Sequence, residues 1–310
     1  MSPQPAVVIE FNSVTKIYRS LLGRSVTAVE EFSLQVAEGE VLGIAGPNGA
    51  GKSTLISLLL GYIRPTSGSL TIAGVGPRKF VEEHGIGYLS ELMTINPAWT
   101  AESALARFAT LAGVPRADIG ARVDVVIEQL GIDEHRQKKV KALSKGNLQR
   151  LGLAQSLLRE EKILILDEPT HGLDPLWTQR FRGIVEGLRR PGRTLIIASH
   201  NLDELQRLAD RVAIIDHGKL QRLVRTGYDQ TTETAGTYRI AIVAGADRMK
   251  EIFPSAVDTG GGEFEVPIKD VNELNSALAR AIGEGVLVAS VVPARSVLEQ
   301  QFREAVGETR

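Results

Sequence analysis

Three groups of residues in this chain have the types and spacing to handle a phosphate ester. GPNGAGKST at Gly46–Thr54 places Gly46, Asn48, Gly49 and Gly51 ahead of Lys52, Ser53 and Thr54. Glycines at such spacing let successive backbone N–H groups turn towards phosphate oxygens. A helix starting there adds positive potential. Lys52 would reach the β- and γ-phosphates, and the Ser53 hydroxyl would ligate Mg²⁺. The second group is Asp167–Glu168, which follows the apolar run Ile163-Leu164-Ile165-Leu166. Asp167 suits a metal-organising carboxylate, and Glu168 suits the base that orients and deprotonates an attacking water. An Asp-Glu pair at a strand end also makes a helix N-cap, aided here by Pro169. His200, closing TLIIASH, is the third group; its imidazole would touch a γ-phosphate and hold base and water in line.

These residues need a scaffold that brings strand ends together. Short β-rich segments occupy residues 6–45, and a helix is expected from Lys52 to about Leu60, closed by Gly61. From Ser90 to Ala142 the pattern turns helical, at AESALARFATLAG and IGARVDVVIEQLGI, so residues of about 91–142 read as an inserted helical subdomain. Strand–helix alternation then resumes: helix 147–158, strand 162–167, helix 176–189, strand 193–199, helix 201–209 and strand 211–216. That order predicts an α/β fold with a mainly parallel sheet, whose ligands sit at the carboxyl ends of its strands. The pattern lapses over 223–236, read as a linker. Residues 237–310 then run β-α-β-β-α-β-α, which matches a ferredoxin-like split βαβ with one added helix.

Composition narrows the partners. Lys and Arg total 36 against 37 for Asp and Glu, and a net charge of −1 gives no sign of a nucleic-acid partner. The chain has no cysteine, which excludes disulfides and thiolate metal sites and suits a reducing cytosol. Its N-terminus lacks the basic and apolar regions of a secretory signal, and its apolar runs are of strand length. Any action at a membrane would need another chain to cross it.

Taken together, the motifs resemble those of the ATP-binding subunit of an ATP-binding cassette (ABC) transporter, over about residues 7 to 222. GPNGAGKST is similar to the family's Walker A motif and ILILDEP to its Walker B with the following glutamate. LSKGNLQR resembles the signature sequence, GLDP at Gly172–Pro175 the D-loop, IGYLSE the Q-loop region and His200 the switch histidine. Tyr18 occupies the place of the aromatic that stacks on adenine. The resemblance implies ATP and Mg²⁺ as cofactors and a homodimer or paired second cassette. It also implies a cytoplasmic subunit, peripheral on the inner face of the membrane through a transmembrane permease. Ser144 and Gly146 would bind the nucleotide of the partner in trans, and Asp174 would communicate across the dimer.

Three departures accompany the likeness. Lys145 replaces the first glycine of the signature, Asn147 its glutamine, and Glu91 the glutamine of the Q-loop, where it remains a candidate for Mg²⁺ or water. His171 is taken as a variable neighbour of the site, and His84, His135 and His217 as surface or loop residues. Lys145, Glu91 and the C-terminal extension resemble the type-2 exporter branch, which handles drugs, lantibiotics, polysaccharides or sodium. The alternatives are a soluble ABC-family ATPase acting on ribosomes or DNA, and a regulatory cassette that binds ATP without hydrolysing it.

Overall fold

The structure, a computed structural model, describes residues 6–19, 25–171, 173–226, 236–293 and 297–307. It divides into two compact units, residues 1–226 with 305–310 and residues 227–304. In the first unit, β1 (Val7–Arg19), β2 (Ser25–Ala37), β3 (Val41–Ala45), α1 (Lys52–Leu59) and β4 (Ser67–Ile72) come in that order. After α2 (Pro77–His84) and β5 (Gly87–Leu89) the chain enters α3 (Ala101–Leu111) and α4 (Ile119–Leu130). It returns through α5 (Lys145–Ser156), β6 (Ile163–Asp167), α6 (Pro175–Leu188) and β7 (Thr194–Ala198). The unit closes with α7 (Leu202–Leu208), β8 (Arg211–Asp216) and β9 (Lys219–Arg225).

The central sheet has the order β5-β6-β7-β3-β8-β9, parallel throughout except for the antiparallel β8–β9 pair. Every residue of β3, β6 and β7 is buried, which is why these strands read as unbroken apolar runs instead of alternating ones. Their register brings Ala45, Asp167 and Ala198 to one edge: Asp167 pairs with Ala198 and Ile44 with Ala198. A second, antiparallel sheet, β2-β1-β4, packs its apolar side into the same core, where the rings of Phe11 and Phe32 meet edge to face at 5.1 Å.

The helical insert forms as expected. Thr100 caps α3 by accepting from the Ser103 N–H at 3.1 Å, and Gly131 ends α4 in a left-handed turn at φ 59°. Helix α5 begins at Lys145, two residues before the expected start at Asn147, because Ser144 supplies the cap and its hydroxyl oxygen accepts from the Asn147 N–H at 3.3 Å. At Gly152, midway along α5, the space a side chain would need holds Met93 Sδ and Leu89 Cδ1. No helix among the described residues is long and apolar enough to cross a membrane.

One expectation is corrected here. Residues 223–225 are the end of β9, which pairs with β8 at the sheet edge, so they are strand and not linker. Residues 227–235 of the expected linker lie outside the described residues. The second unit contains β10 (Gly236–Ala244), α8 (Ala246–Ile252), β11 (Val257–Gly260), β12 (Glu263–Ile268), α9 (Val271–Gly283) and β13 (Leu287–Pro293). Its sheet is antiparallel with the order β11-β12-β10-β13, the ferredoxin-like arrangement. It has its own apolar core around Ile240, Met249, Phe264 and Val266. A final helix, α10, spans Val297–Val306.

Phe32 is fully buried, so Phe32→Ala is expected to cost about 3–5 kcal/mol of unfolding free energy. Urea denaturation followed by tryptophan fluorescence measures this; an unchanged midpoint would show that the ring is not part of the core.

Candidate functional site

The loop from Gly46 to Gly51 links β3 to α1 in a path that side chains would block. A Cβ at Gly46 would lie 2.5 Å from the Ile215 carbonyl, and Gly51 sits at φ 109° with a Cβ position 2.6 Å from the Ala28 carbonyl. Helix α1 then starts at Lys52 without any side-chain cap, leaving its first N–H groups open to an anion. Lys52 Nζ donates to the Gly46 and Pro47 carbonyls at 2.6 and 3.2 Å, so the ammonium lies back along the loop. A cavity of about 550 Å³ opens over this turn, lined by residues 47–54 and by Glu91, Asp167, Glu168, His171 and His200.

Asp167 ends β6 and is buried. Its burial pushes its carboxyl up from 3.8 to about 6, reinforced by the charges of Glu91 and Glu168 and opposed by Lys52. The chain then turns sharply: Glu168 adopts a left-handed φ of 48°, a conformation that costs a side-chain-bearing residue about 1–3 kcal/mol. Its N–H donates to the Ala198 carbonyl at 2.8 Å, which anchors the turn to β7. The Glu168 carboxylate is held from three sides. Oε1 accepts the His200 N–H at 3.0 Å, while Oε2 lies 2.8 Å from His200 Nδ1 and 3.3 Å from the Ser199 hydroxyl.

The structure therefore gathers Asn48, Gly49, Gly51, Lys52, Ser53, Thr54, Glu91, Asp167, Glu168 and His200 at one cavity, beside Gly46. It leaves others elsewhere. Ser144 and Gly146 lie at the N-terminus of α5 and line no part of this cavity. Asp174 caps α6, accepting from the Trp177 N–H at 2.8 Å, and Gly172 lies outside the described residues. Tyr18 is exposed on β1, with the Lys16 ammonium 5.4 Å above its ring, and is not among the lining residues.

Two contacts at this site have no signal in the sequence. Gln149, on α5, donates from Nε2 to the Glu168 and Pro169 carbonyls at 3.2 Å each. The Thr170 hydroxyl donates to the buried Glu204 of α7. Both arise from tertiary packing between elements remote in sequence. His171 also comes closer than a variable neighbour would, its ring 6.0 Å edge-on from that of His200.

The sequence profile of the family described as ABC transporter matches residues 29–171. An uncharacterized ABC transporter ATP-binding protein of Bacillus subtilis (strain 168), YdbJ, is 34% identical over 288 residues, covering 89% of this chain and 90% of its own length. A second from the same organism, YhcH, is 32% identical and covers 98% of this chain and 97% of its own. The chain belongs to the ABC transporter ATP-binding proteins. The bacitracin transport ATP-binding protein BcrA of Bacillus licheniformis is 36% identical over 69% of each chain. The methionine import ATP-binding protein MetN of Geobacillus kaustophilus is 36% identical over 69% of this chain and 64% of its own. Among solved structures, the dimeric cassette MJ0796 in a post-hydrolysis state with ADP and Pi superposes with a TM-score of 0.65 at 21% identity, covering 71% of this chain and 99% of that one. As a member of this family the ABC cassette described here is an ATPase, the ATP-binding subunit of a transporter.

The raised Asp167 carboxyl makes a stability prediction with a defined sign. Unfolded, the group ionises near 4; folded, near 6. Between those values the native state holds the extra proton, so stability falls as pH rises from about 4 to about 6 and stays lower above. Asp167→Asn is expected to stabilise the nucleotide-free protein by on the order of 2–3 kcal/mol above pH 6, a gain that disappears below pH 4. Thermal denaturation across that range checks it, and a gain independent of pH would show that Asp167 is not the strained group.

Proposed function

We propose that this cassette acts as half of a head-to-tail pair that hydrolyses ATP with Mg²⁺ in two shared sites and powers a separate membrane-spanning subunit, in the direction of export. The observation that carries this reading is the single cavity in which the uncapped start of α1 faces Asp167, Glu168 and His200. Backbone N–H groups of the 46–54 loop bind the phosphates, and Lys52 leaves its two carbonyl partners to meet the β- and γ-oxygens.

The donor set suits Mg²⁺. Ser53, Asp167 and Glu91 offer only hard oxygen atoms, and a divalent cation would favour the ionised Asp167 against the burial and neighbouring carboxylates that raise it. When bound, the ion supplies positive charge to the β- and γ-phosphate oxygens. Glu168 takes the proton of the attacking water. His200, already bonded to that carboxylate through Nδ1, holds it in line and leaves Nε2 to meet the γ-phosphate. Tyr18 stacks on the adenine.

Ser144 and Gly146 stand away from their own cavity at a helix start, free to meet the γ-phosphate on a partner cassette. Asp174, which caps the start of α6, couples the two sites across the dimer. Lys145 adds positive charge beside that phosphate and Asn147 keeps an amide on a shorter arm, so activity persists with an altered rate. Export is supported by the resemblance of Glu91, Lys145 and the C-terminal unit to the exporter branch, and by BcrA among the relatives. The import named for MetN makes direction an experimental question. Uptake or release by vesicles holding this subunit with its co-purifying permease answers it.

Glu168→Gln is expected to reduce hydrolysis by orders of magnitude and to trap an ATP-bound dimer, seen as a doubled mass on size exclusion; an active monomer would overturn the scheme. Sharing of the sites has its own test. Lys52→Ala and Ser144→Arg proteins are each expected to be inactive, while a mixture regains ATPase because one intact Walker A then faces one intact signature. No recovery on mixing would place Ser144 at its own nucleotide.

A further inference from the structure

Two imidazoles and one carboxylate meet at the edge of the cavity. Glu168, His171 and His200 each offer a ligand atom, and these atoms all lie within 4.8 Å of one another. The left-handed turn at Glu168 causes the meeting. It folds residues 168–171 back so that the His171 N–H donates to the Glu168 carbonyl at 3.1 Å, which sets the His171 ring beside that of His200. The phosphate scheme above uses Glu168 and His200 but gives His171 no part.

We propose that the nucleotide-free site binds a borderline divalent metal ion of the zinc class through Glu168, His171 and His200, and that this ion arrests ATP hydrolysis. The donor set decides the class. Imidazole nitrogen favours Zn²⁺, Co²⁺ and Ni²⁺, whereas Mg²⁺ takes oxygen, so this site and the Ser53–Asp167 site select different ions. Metal–nitrogen bonds of about 2.0–2.1 Å put two ligands no more than about 4.2 Å apart across the ion, so the cluster has to close only slightly. His171 is exposed and the His200 side chain 61% exposed, and both rings can rotate without opening a core. Glu168 is the fixed ligand, its carboxylate oriented by the Ser199 hydroxyl and the His200 N–H. Glu91 and Asp167 line the same cavity and add negative charge that favours a second cation.

Bound there, the ion occupies the base and the histidine that holds it, and turnover stops while the phosphate loop stays intact. The metal site itself is independent of the functional reading; only the arrest rests on it. The test uses the full-length, nucleotide-free protein titrated with Co²⁺ as a spectroscopic probe. Wild type is expected to develop the ligand-field absorption of nitrogen-ligated cobalt, bleached by added Zn²⁺. His171→Ala and His171→Asn are expected to bind Co²⁺ at least about ten-fold more weakly. In the MgATPase assay both variants keep basal turnover and need at least about ten-fold more Zn²⁺ for half inhibition. Absence of the cobalt band in wild type, or equal zinc sensitivity of wild type and both variants, overturns the proposal. A cobalt band that depends on His171 in a protein with no ATPase would instead overturn the hydrolytic reading and leave the metal site standing.

Discussion

Burial of Asp167 at a cavity it shares with Glu91 and Glu168, where Lys52 is the one lysine or arginine among the described lining residues, is the constraint on which the site depends. Burial makes a charge costly here, and the like charges nearby add to that cost. Asp167 bears it by holding its proton to about pH 6. The fold resists by making β3, β6 and β7 buried on both faces, so that the strand carrying Asp167 has no room to retreat. A site of this kind is preorganised for positive charge, and the Mg²⁺ and the zinc-class ion proposed above would both answer the same electrostatic demand.

Glu168 sits where two kinds of strain coincide, a left-handed backbone and a buried carboxylate. What holds it there comes from several elements. β7 and its following residues supply the Ala198 carbonyl, the Ser199 hydroxyl and His200; α5 supplies Gln149; and Glu204 of α7 secures Thr170 two residues further on. Helices α5 and α7 are therefore tied by direct hydrogen bonds to the backbone of the Glu168 turn and to Thr170, and the carboxylate itself is held by Ser199 and His200.

Much of this was legible before any coordinates. Unbroken apolar runs such as Ile163–Leu166 announce strands buried on both faces, and glycine spacing before Lys52 and Ser53 announces the tight turn from β3 into α1. The second unit's order of elements implied the sheet order that is observed. Strand β9 was not legible, because an edge strand with most residues exposed has neither an apolar run nor a clean alternation, and its end at residues 223–225 read as linker. The closeness of His171 to His200 was also hidden, since it depends on a left-handed turn at a glutamate, a residue with no preference for that conformation. Gln149 and Glu204 were silent for a related reason: their partners are backbone or hydroxyl groups remote in sequence.

Gly152 on α5 has its missing side chain replaced by Met93, two residues beyond Glu91. The loop that carries Glu91 is thus seated in a notch on the helix whose first turn carries Ser144 and Gly146. Helix and loop therefore touch at a point where no spare side chain's width is left between them. A larger residue at position 152 would have to push aside the end of the Met93 side chain and crowd Leu89, so the tightness of this seat is adjustable from either position 152 or position 93.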